Sequence, residues 1–445
     1  MIQESATDGR VASVYRKVNL QLLPLLFFGF MFAYLDRINV GFAKLQMQNE
    51  LALSDAAYGV GAGIFFVGYV LFEIPSNLLM PKVGARATFS RIMVLWGIAS
   101  ICMLFVKSVP AFYALRFLLG VFEAGFAPGV LFFLSRWYGP SRIAGAISIV
   151  WLAGPVSGIL GGPLSTWIMT SFAGVGNLSG WQWMFLLEGA PCVVLGVIAF
   201  FFLPDGPTTA SWLNPEEKRL LRGQLSEADG KHGSFRAVAK DPKVYILSLA
   251  YLCIISPIYA LSFWLPTILN QEGITSTQQL GWYAAIPYVA AALAIFYGGR
   301  SSDKHGERRY HIALPVLIAC LAIIAWVCSG GLLATIGFLT LATGMMWMAN
   351  IVFWAVPPEY IKGDARAGAI ALINTIGLSG GFWGPSIIGW SKSLTGSIHA
   401  GFLIMAAMLL IAGIIILFLR LNRQNAVDSA SRSRASIPAG ARGAE

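Results

Sequence analysis

The first apolar run of the chain reads LQLLPLLFFGFMFAYLDRINVGF, from Leu20 to Phe42. A helix needs roughly 20 apolar residues to cross the hydrocarbon core of a bilayer, and this run is long enough. It is too long for the apolar region of a cleavable signal peptide, so we predict a retained first helix after a polar lead, residues 1–17. Asp36 and Arg37 lie inside the run, and charges there indicate function because they are costly to bury in hydrocarbon.

Composition narrows the class of protein. Hydrophobic residues make up 57% of the 445 residues and charged residues 12%, and the mean hydropathy is +0.69. These values predict an all-α membrane protein that crosses the lipid bilayer many times. The net charge of +10 therefore matters through its distribution along the chain, and we expect no nucleic-acid partner.

The cysteines and the polar motifs argue against a metal site and against enzyme activity. All five cysteines fall in apolar segments without a CxxC spacing, which indicates neither a disulfide framework nor a metal site. No nucleophile–base pair and no phosphate-binding loop stands out. We therefore expect a protein that is not an enzyme and that needs no cofactor.

Hydropathy divides the chain into twelve apolar segments, six on each side of a polar linker. Numbered in chain order, the segments are Leu20–Phe42, Tyr58–Met80, Thr88–Val106, Phe112–Leu134, Ile143–Thr170, Trp183–Leu203, Tyr245–Leu269, Leu280–Gly299, Ile312–Ser329, Leu332–Val356, Ala367–Trp390 and Gly401–Leu421. We predict two six-helix halves, residues 18–203 and 244–421, joined by a cytoplasmic linker, residues 204–243. The sequence Asn214-Pro215-Glu216-Glu217 indicates the start of a short helix in that linker.

Lysine and arginine are distributed very unevenly between the two sides. With the N-terminus inside, 26 of the 31 basic residues lie on the inner side, 3 on the outer side and 2 within helices. The positive-inside rule then places both termini in the cytoplasm. The tail, residues 422–445, is rich in Ser, Ala and Arg without apolar periodicity, and we expect it to be disordered.

A second set of intramembrane charges lies in segment 4. Arg116, Gly120 and Glu123 are spaced i, i+4 and i+7, which puts them on one face of a helix. Counted from the outer ends of their segments, Asp36, Arg37 and Arg116 lie at similar depth. We predict one site of two arginines and two acids, in which an acid that leaves its arginine would take up a proton. The alternative is two ion pairs that only fix segment 1 against segment 4.

Weaker candidates surround this site. Glu73 in segment 2 and Glu188 in segment 6 are also intramembrane acids, although each could satisfy local backbone or a nearby base. The second half lacks such charges but offers polar groups with aromatic walls, which suit the hydroxyls or ring of an organic solute. The candidate substrate-binding residues there are Tyr259, Trp354, Asn374 and Ser379. Several aromatic residues of this half could instead be packing or interface residues.

Small residues recur at four-residue spacing in two segments. Gly154, Gly158 and Gly162 do so in segment 5, and Gly377 and Gly381 in segment 11. Such ladders let helix backbones approach closely, and we expect them to pack helices within each half.

A pattern of glycines and charges marks the loop after segment 8. It reads GGRSSDKHGERR from Gly298 to Arg309 and resembles the signature loop of the major facilitator superfamily, with a lysine in place of an arginine. A degenerate copy, Pro81 to Arg86, follows segment 2, which favours two related halves. The candidate gating residues are Gly299, Asp303, Lys304, Gly306, Arg308 and Arg309. They would lock one half against the other, or else only hold the loop in the cytoplasm.

Three stretches together resemble the anion:cation symporter family of that superfamily. They are Tyr34–Ala43, Arg116–Gly125 and Gly180–Gly189. The resemblance covers essentially all twelve segments and implies the major facilitator fold. It also implies alternating access, with substrates such as galactonate, tartrate or phthalate carried together with protons.

The resemblance also assigns roles to matching residues. It implies that Asp36 and Glu123 take protons, that Arg37 binds the substrate carboxylate and that Arg116 interacts with the acids. Tyr34 is a further substrate-binding candidate in the first of these stretches. Gln182 stands where many members have an arginine, which argues against a substrate contact from that loop.

We therefore expect a proton-coupled symporter of the cytoplasmic membrane, functional as a monomer. It would import a small organic carboxylate, such as a sugar acid, a tartrate-like acid or an aromatic acid. One alternative is an exporter or exchanger of the same fold. Another is a non-transporting sensor, which would need a signalling domain larger than the linker or the tail.

Overall fold

A computed structural model describes residues 2–139, 142–225, 240–357 and 366–419. The regular elements of these residues are all helices, so the predicted all-α class is confirmed. The expected disorder of residues 422–445 concerns residues outside the described ranges.

The described residues form seventeen α-helices. They are α1 Ile2–Ile38, α2 Val40–Glu50, α3 Asp55–Val83, α4 Ala85–Cys102, α5 Val109–Glu123, α6 Phe126–Ser135, α7 Ile143–Trp151, α8 Ala153–Ser171, α9 Gly180–Phe202, α10 Pro215–Gln224, α11 Pro242–Gln271, α12 Thr277–His305, α13 Arg309–Cys328, α14 Leu332–Phe353, α15 Arg366–Leu378, α16 Gly380–Thr395 and α17 His399–Phe418. Short 3₁₀ turns cover Met103–Phe105 and Val175–Asn177.

Eleven helical stretches of the described residues are long and apolar enough to cross a membrane, and they match eleven of the predicted segments. Segment 11 is present as two shorter helices, α15 and α16, which meet at Ser379. We keep the words outer and inner for the orientation that the lysine and arginine distribution predicts.

Two of the breaks within segments lie beside the predicted charged site. The first segment divides into α1 and α2 at Asn39, two residues after Arg37. The fourth divides after Glu123, where Gly125 has a φ of +89°, a left-handed conformation that glycine adopts without strain. Helix ends leave backbone carbonyls without helical partners, so both breaks create polar groups at the depth of the charges.

The linker contains the predicted short helix, α10. Its cap is reciprocal, because Asn214 Oδ1 accepts from the Glu217 amide at 2.8 Å and Glu217 Oε2 accepts from the Asn214 amide at 2.9 Å. Lys17 Nζ lies 2.5 Å from Glu217 Oε1 and ties the helix to α1. The hydrogen bond from Lys17 lowers the pKa of Glu217, since it stabilises the ionised carboxylate.

The glycine ladder of α8 packs across the two halves. A β-carbon on Gly158 would lie 2.2 Å from the ring of Tyr288, and one on Gly162 would lie 2.5 Å from the carbonyl oxygen of Gly281. Both contacts are with α12, so the expectation that this ladder packs only within the first half is wrong. The spacing predicts a close approach but carries no information about which helix approaches.

Polar contacts between the halves concentrate at the outer ends. Asp55 forms ion pairs with Lys44 at 2.8 Å and with Lys392 of the second half at 3.1 Å. The Tyr58 hydroxyl donates to the carbonyl of Phe263 at 2.8 Å. We call Lys44, Asp55 and Lys392 the outer ion cluster. These contacts hold the outer ends of the halves together.

Candidate functional site

The core of the site is a buried ion pair between α1 and α5. Arg37 Nε donates to Glu123 Oε1 at 2.8 Å, and Arg37 Nη2 contacts the same oxygen. The Glu123 side chain is 0% exposed and that of Arg37 11%. Glu123 Oε2 has no hydrogen-bond partner among the described residues. The carboxylate therefore has one oxygen that no other described group occupies.

Arg37 also reaches the second half. Its Nη1 donates to the Tyr259 hydroxyl at 3.2 Å. Its guanidinium carbon lies 5.3 Å from the ring centre of Phe65 and 5.2 Å from that of Tyr69, within the range of a cation–π interaction. Arg37 thus has aromatic walls and a partner on each half, which places it at the boundary between the halves.

Asp36 belongs to a different cluster from its neighbour. Ser100 Oγ donates to Asp36 Oδ1 at 2.9 Å, Asn39 Nδ2 lies 3.5 Å from the same oxygen, and Cys192 Sγ lies 3.4 Å from Oδ2. No cation of the described chain forms an ion pair with Asp36. Asp36 therefore does not join the Arg37–Glu123 ion pair, because successive helix residues point about 100° apart, although Glu123 and Arg116 lie close enough to act on it electrostatically.

Glu188 shares this second cluster. Asn39 Nδ2 donates to Glu188 Oε2 at 2.9 Å, and Ser165 Oγ donates to Glu188 Oε1 at 2.7 Å. Asn39 therefore bridges two buried acids, Asp36 and Glu188. Asn39 was not predicted as a site residue, although its position three residues after Asp36 puts it on the same helical face.

Arg116 binds backbone carbonyls. It donates to the carbonyls of Ala62 at 3.1 Å and of Gly61 and Asp36 at 3.4 Å each, and it is 0% exposed. The Asp36 carbonyl is one of those freed by the end of α1. In the described structure Arg116 makes no direct ion pair with an acid, but Glu123 and Asp36 lie close enough to interact with it electrostatically. Its contacts hold α1, α3 and α5 together.

The candidates of the second half separate into two kinds. Asn374 Nδ2 donates to Glu73 Oε1 at 2.6 Å, and Tyr259 meets Arg37, so both lie against groups of the first half. Ser379 donates to the carbonyl of Ile376 in its own segment at 2.6 Å. The structure therefore brings Asn374 and Tyr259 to the boundary between the halves. The Ser379 hydroxyl instead binds a backbone carbonyl at the break in segment 11.

Two aromatic candidates lie in packed clusters. Trp354 stacks edge-on against Tyr251, with ring centres 4.8 Å apart, just after the end of α14. Tyr34 packs edge-on against Trp347 at 5.6 Å, and its buried hydroxyl lies beside those of Ser262 and Tyr288, which hydrogen-bond to each other at 3.0 Å. Tyr34 therefore also lies at the boundary between the halves.

The loop after segment 8 pairs its charges internally. Asp303 Oδ1 accepts from Arg308 at 2.6 Å, and Gly306 ends α12 with a φ of +57°. The Arg309 guanidinium lies over the ring of Tyr310. The Lys304 side chain is exposed, and a β-carbon on Gly299 would meet no atom within 4 Å. Between described residues, the ion pair of Asp303 lies within the loop and joins no helix of the first half.

Glu307 caps the helix that follows this loop. Its carboxylate accepts from the Tyr310 amide at 2.8 Å and lies 2.9 Å from His311 Nδ1. Partial burial acts to raise the pKa of Glu307, but the hydrogen bonds from His311 and the two backbone amides outweigh it and lower the pKa. These contacts fix the start of α13.

The degenerate loop after segment 2 obtains its acid from the linker. Asp205 Oδ1 accepts from the Arg86 amide at 2.9 Å, and the Arg86 side chain donates to the Leu203 carbonyl at 3.1 Å. Asp205 of the linker thus lies against this loop, which has no aspartate of its own.

Gln182 has a capping role. Its Oε1 accepts from the Ser179 amide at 2.8 Å, and its Nε2 donates to the Leu104 carbonyl at 2.6 Å. Both ends of the Gln182 amide are therefore occupied by backbone groups.

The sequence pattern of the Major Facilitator Superfamily matches residues 26–385 and 275–443. The chain belongs to this superfamily. Its fold is the major facilitator fold, and it is a multi-pass protein of the plasma membrane, as the resemblance implies. Family members and relatives of this type are transporters, so the expectation that the chain is not an enzyme is confirmed.

Bacterial relatives of this facilitator match almost from end to end. A candidate metabolite transport protein, NicT, of Pseudomonas putida is 41% identical over 93% of this chain and 96% of its own length. A candidate tartrate transporter of Agrobacterium vitis is 39% identical over 95% of each chain. A quinolone resistance transporter of Acinetobacter baumannii is 38% identical over 92% of this chain and 96% of its own.

Proposed function

We propose that this facilitator is a proton-coupled symporter that imports a small organic carboxylate. The observation that carries the proposal is the Arg37–Glu123 pair, in which a buried arginine holds a carboxylate at the boundary between the halves. A substrate carboxylate has the same shape and charge as the Glu123 side chain. The guanidinium fork that binds one can therefore bind the other.

Competition for Arg37 supplies the coupling. When a substrate carboxylate binds Arg37, Glu123 loses its closest cation. A buried carboxylate without a cation is strongly unfavourable, so Glu123 takes up a proton. The proton can go to the second oxygen of Glu123, which has no partner among the described residues. Substrate binding and proton uptake then occur together.

Asp36 is the second proton carrier in this proposal. It has no cation partner among the described residues, and its partners Ser100 and Asn39 are neutral. Such a buried acid is stable when protonated, and its proton can be released when the cluster opens to water. The bridge through Asn39 links this step to Glu188, which we include as a participant in the same cluster.

The rest of the proposal concerns the substrate wall and the whole molecule. Tyr259 and Asn374 would contact the substrate from the second half, with Tyr34 and Trp354 closing the wall. The candidate tartrate transporter among the relatives supports a hydroxylated organic acid. We propose that the two halves, residues 18–203 and 244–421, move as units in a functional monomer.

Export is the second candidate function. The quinolone resistance transporter of Acinetobacter baumannii, 38% identical to this chain, favours it. An exporter would instead bind protons and substrate alternately at the Arg37–Glu123 pair and exchange one for the other. Inside-out vesicles with an acidic interior distinguish the two functions, because an exporter accumulates its substrate there in exchange for protons and a symporter does not.

Uptake into proteoliposomes tests the proposal. The probes are labelled tartrate, galactonate and 4-hydroxyphenylacetate, with an inside-alkaline gradient or with counterflow. Glu123→Gln should lose gradient-driven accumulation while retaining counterflow, because a neutral side chain has no proton to exchange. Glu216→Gln is the matched control, since that side chain is 71% exposed on α10. Full gradient-driven accumulation by Glu123→Gln would show that Glu123 is not the coupling acid.

A further inference from the structure

Glu73 is a buried acid that the transport cycle described above does not use. It lies on α3, is 5% exposed, and forms no ion pair with the described residues. Its carboxylate accepts from Asn374 Nδ2 at 2.6 Å and from Thr375 Oγ1 at 3.4 Å. Both donors lie on α15, in the other half of the molecule. A buried acid is thus held only by neutral donors across a boundary that opens during alternating access.

Glu73 also lies on the same wall as the carboxylate-binding arginine. Tyr69 precedes it by four residues, which puts both on one face of α3 about 6 Å apart along the axis. The ring of Tyr69 lies 5.2 Å from the Arg37 guanidinium carbon. Arg37 and Glu73 therefore place a cation and an acid on one wall, separated by an aromatic ring, with Glu73 nearer the inner end.

The chemistry of this arrangement selects a kind of ligand. An ionised carboxylate only accepts hydrogen bonds, so Glu73 must find donors in each state in which it is ionised. Asn374 and Thr375 move away with α15 when the halves separate. A buried carboxylate left without donors is costly, and a donor on a bound solute removes that cost.

We propose that Glu73 is a specificity-determining residue that accepts a hydrogen bond from a hydroxyl or N–H group of the transported acid. In the described structure, Asn374 and Thr375 occupy the place of that group. The inference rests on the proposed function, because it uses Arg37 as the binding group for the carboxylate. This role narrows the expected substrates to acids that carry a hydroxyl or N–H group at a distance from the carboxylate that binds Arg37.

Matched pairs of acids test this inference by thermal shift and by competition for uptake. The pairs are tartrate with succinate, and 4-hydroxyphenylacetate with phenylacetate, since each second member lacks only hydroxyl groups. The wild-type protein should prefer the hydroxylated member of at least one pair by about tenfold or more, the ratio expected for a hydrogen bond to a charged group. Glu73→Met should reduce that ratio to about one.

Further variants separate this role from a structural one. Glu73→Gln keeps the size and one acceptor oxygen, and it should give a ratio between those of the wild type and Glu73→Met. A Glu73 that only ties α3 to α15 would give lower stability and an unchanged ratio in both variants, which overturns the inference. Binding of no acid, or binding that Arg37→Ala leaves intact, overturns the proposed function and this inference with it.

Discussion

Lys44 and Asp55 form an ion pair of 2.8 Å in which the lysine side chain is 0% exposed. The Lys44 ammonium also lies 3.8 Å from the ring centre of Trp264 in the second half, and Lys392 binds the other Asp55 oxygen. A single aspartate thus holds two lysines from different halves. Its loss leaves two neighbouring cations without a counter-ion at the outer ends.

The first prediction follows from this cluster. Asp55→Asn should shift the protein toward a state with the outer ends apart, since removing one partner of a buried ion pair costs ~3–5 kcal/mol. A cysteine introduced at the buried Ser386 should react with a charged outer thiol reagent at least about tenfold faster in this variant. The same labelling without the introduced cysteine controls for the five native thiols. Equal reaction rates would contradict a role of the cluster in closing the outer side.

Arg37→Lys should damage substrate binding. Lysine keeps the charge but cannot present the two parallel donors that match a carboxylate. We expect KM for the transported acid to rise by about tenfold or more, as for a lost charge-assisted hydrogen bond, while the thermal midpoint changes little. Initial uptake rates across a range of tartrate concentrations measure this. An unchanged KM would remove Arg37 from the substrate site.

Arg116→Lys should damage stability. Arg116 donates to three backbone carbonyls, and a lysine can satisfy fewer of them at those positions. We expect a loss of about 1–3 kcal/mol, read as a lower thermal midpoint, with the KM of the folded fraction unchanged. The comparison with Arg37→Lys tests this assignment, because that variant should change KM and Arg116→Lys should change the thermal midpoint. A higher KM in Arg116→Lys would instead indicate that Arg116 contacts the substrate or acts on it through Asp36 and Glu123.

Asn39→Leu should uncouple the acid cluster. Leucine is close in size but removes the amide that bridges Asp36 and Glu188. Gradient-driven accumulation should fall several-fold, while counterflow, which needs no net proton movement, should persist. Ser165→Ala is the matched control, because it removes one donor to Glu188 and leaves the bridge in place. Equal coupling in Asn39→Leu and in the wild type would limit the bridge to a structural role.

Glu307 gives a pH-dependent prediction outside the membrane. Because the folded state lowers the pKa of Glu307, its stabilising contribution is present above the unfolded pKa of about 4.3 and is lost as the pH falls through the lower folded value. Glu307→Gln should therefore speed amide exchange at the start of α13 at pH 7. As the pH falls below about 4, the wild type should approach the variant. A constant difference at all pH values would contradict this.

The apolar runs and the basic residues predicted the fold because both are dictated by the bilayer. Span length follows from its thickness, and orientation follows from its charge asymmetry. The short helix at Asn214 was predictable for a local reason, since its capping groups lie within three residues of each other. These features depend on neighbours in sequence.

The site was predictable only in part. Counting depth from the helix ends put Asp36, Arg37 and Arg116 at one level, but the ion pair of Arg37 is with Glu123, seven residues along the helix from Arg116. The direction of a side chain around the axis depends on helix rotation, which the sequence leaves open, so the hydrogen-bond partners of Asp36 and Arg116 could not be predicted. The contact of Glu73 with Asn374 joins residues 301 positions apart, and no local pattern indicates it.

The meeting of Gly162 and Gly281 places peptide planes of opposite halves in direct contact, with no side chain between them. Any other residue at either position adds volume, so a substitution there can only push the two helices apart. A single methyl group would keep the outer ends of the halves from closing fully. This contact is therefore a position at which the conformation with the outer ends apart could be trapped for structure determination without a ligand or an antibody.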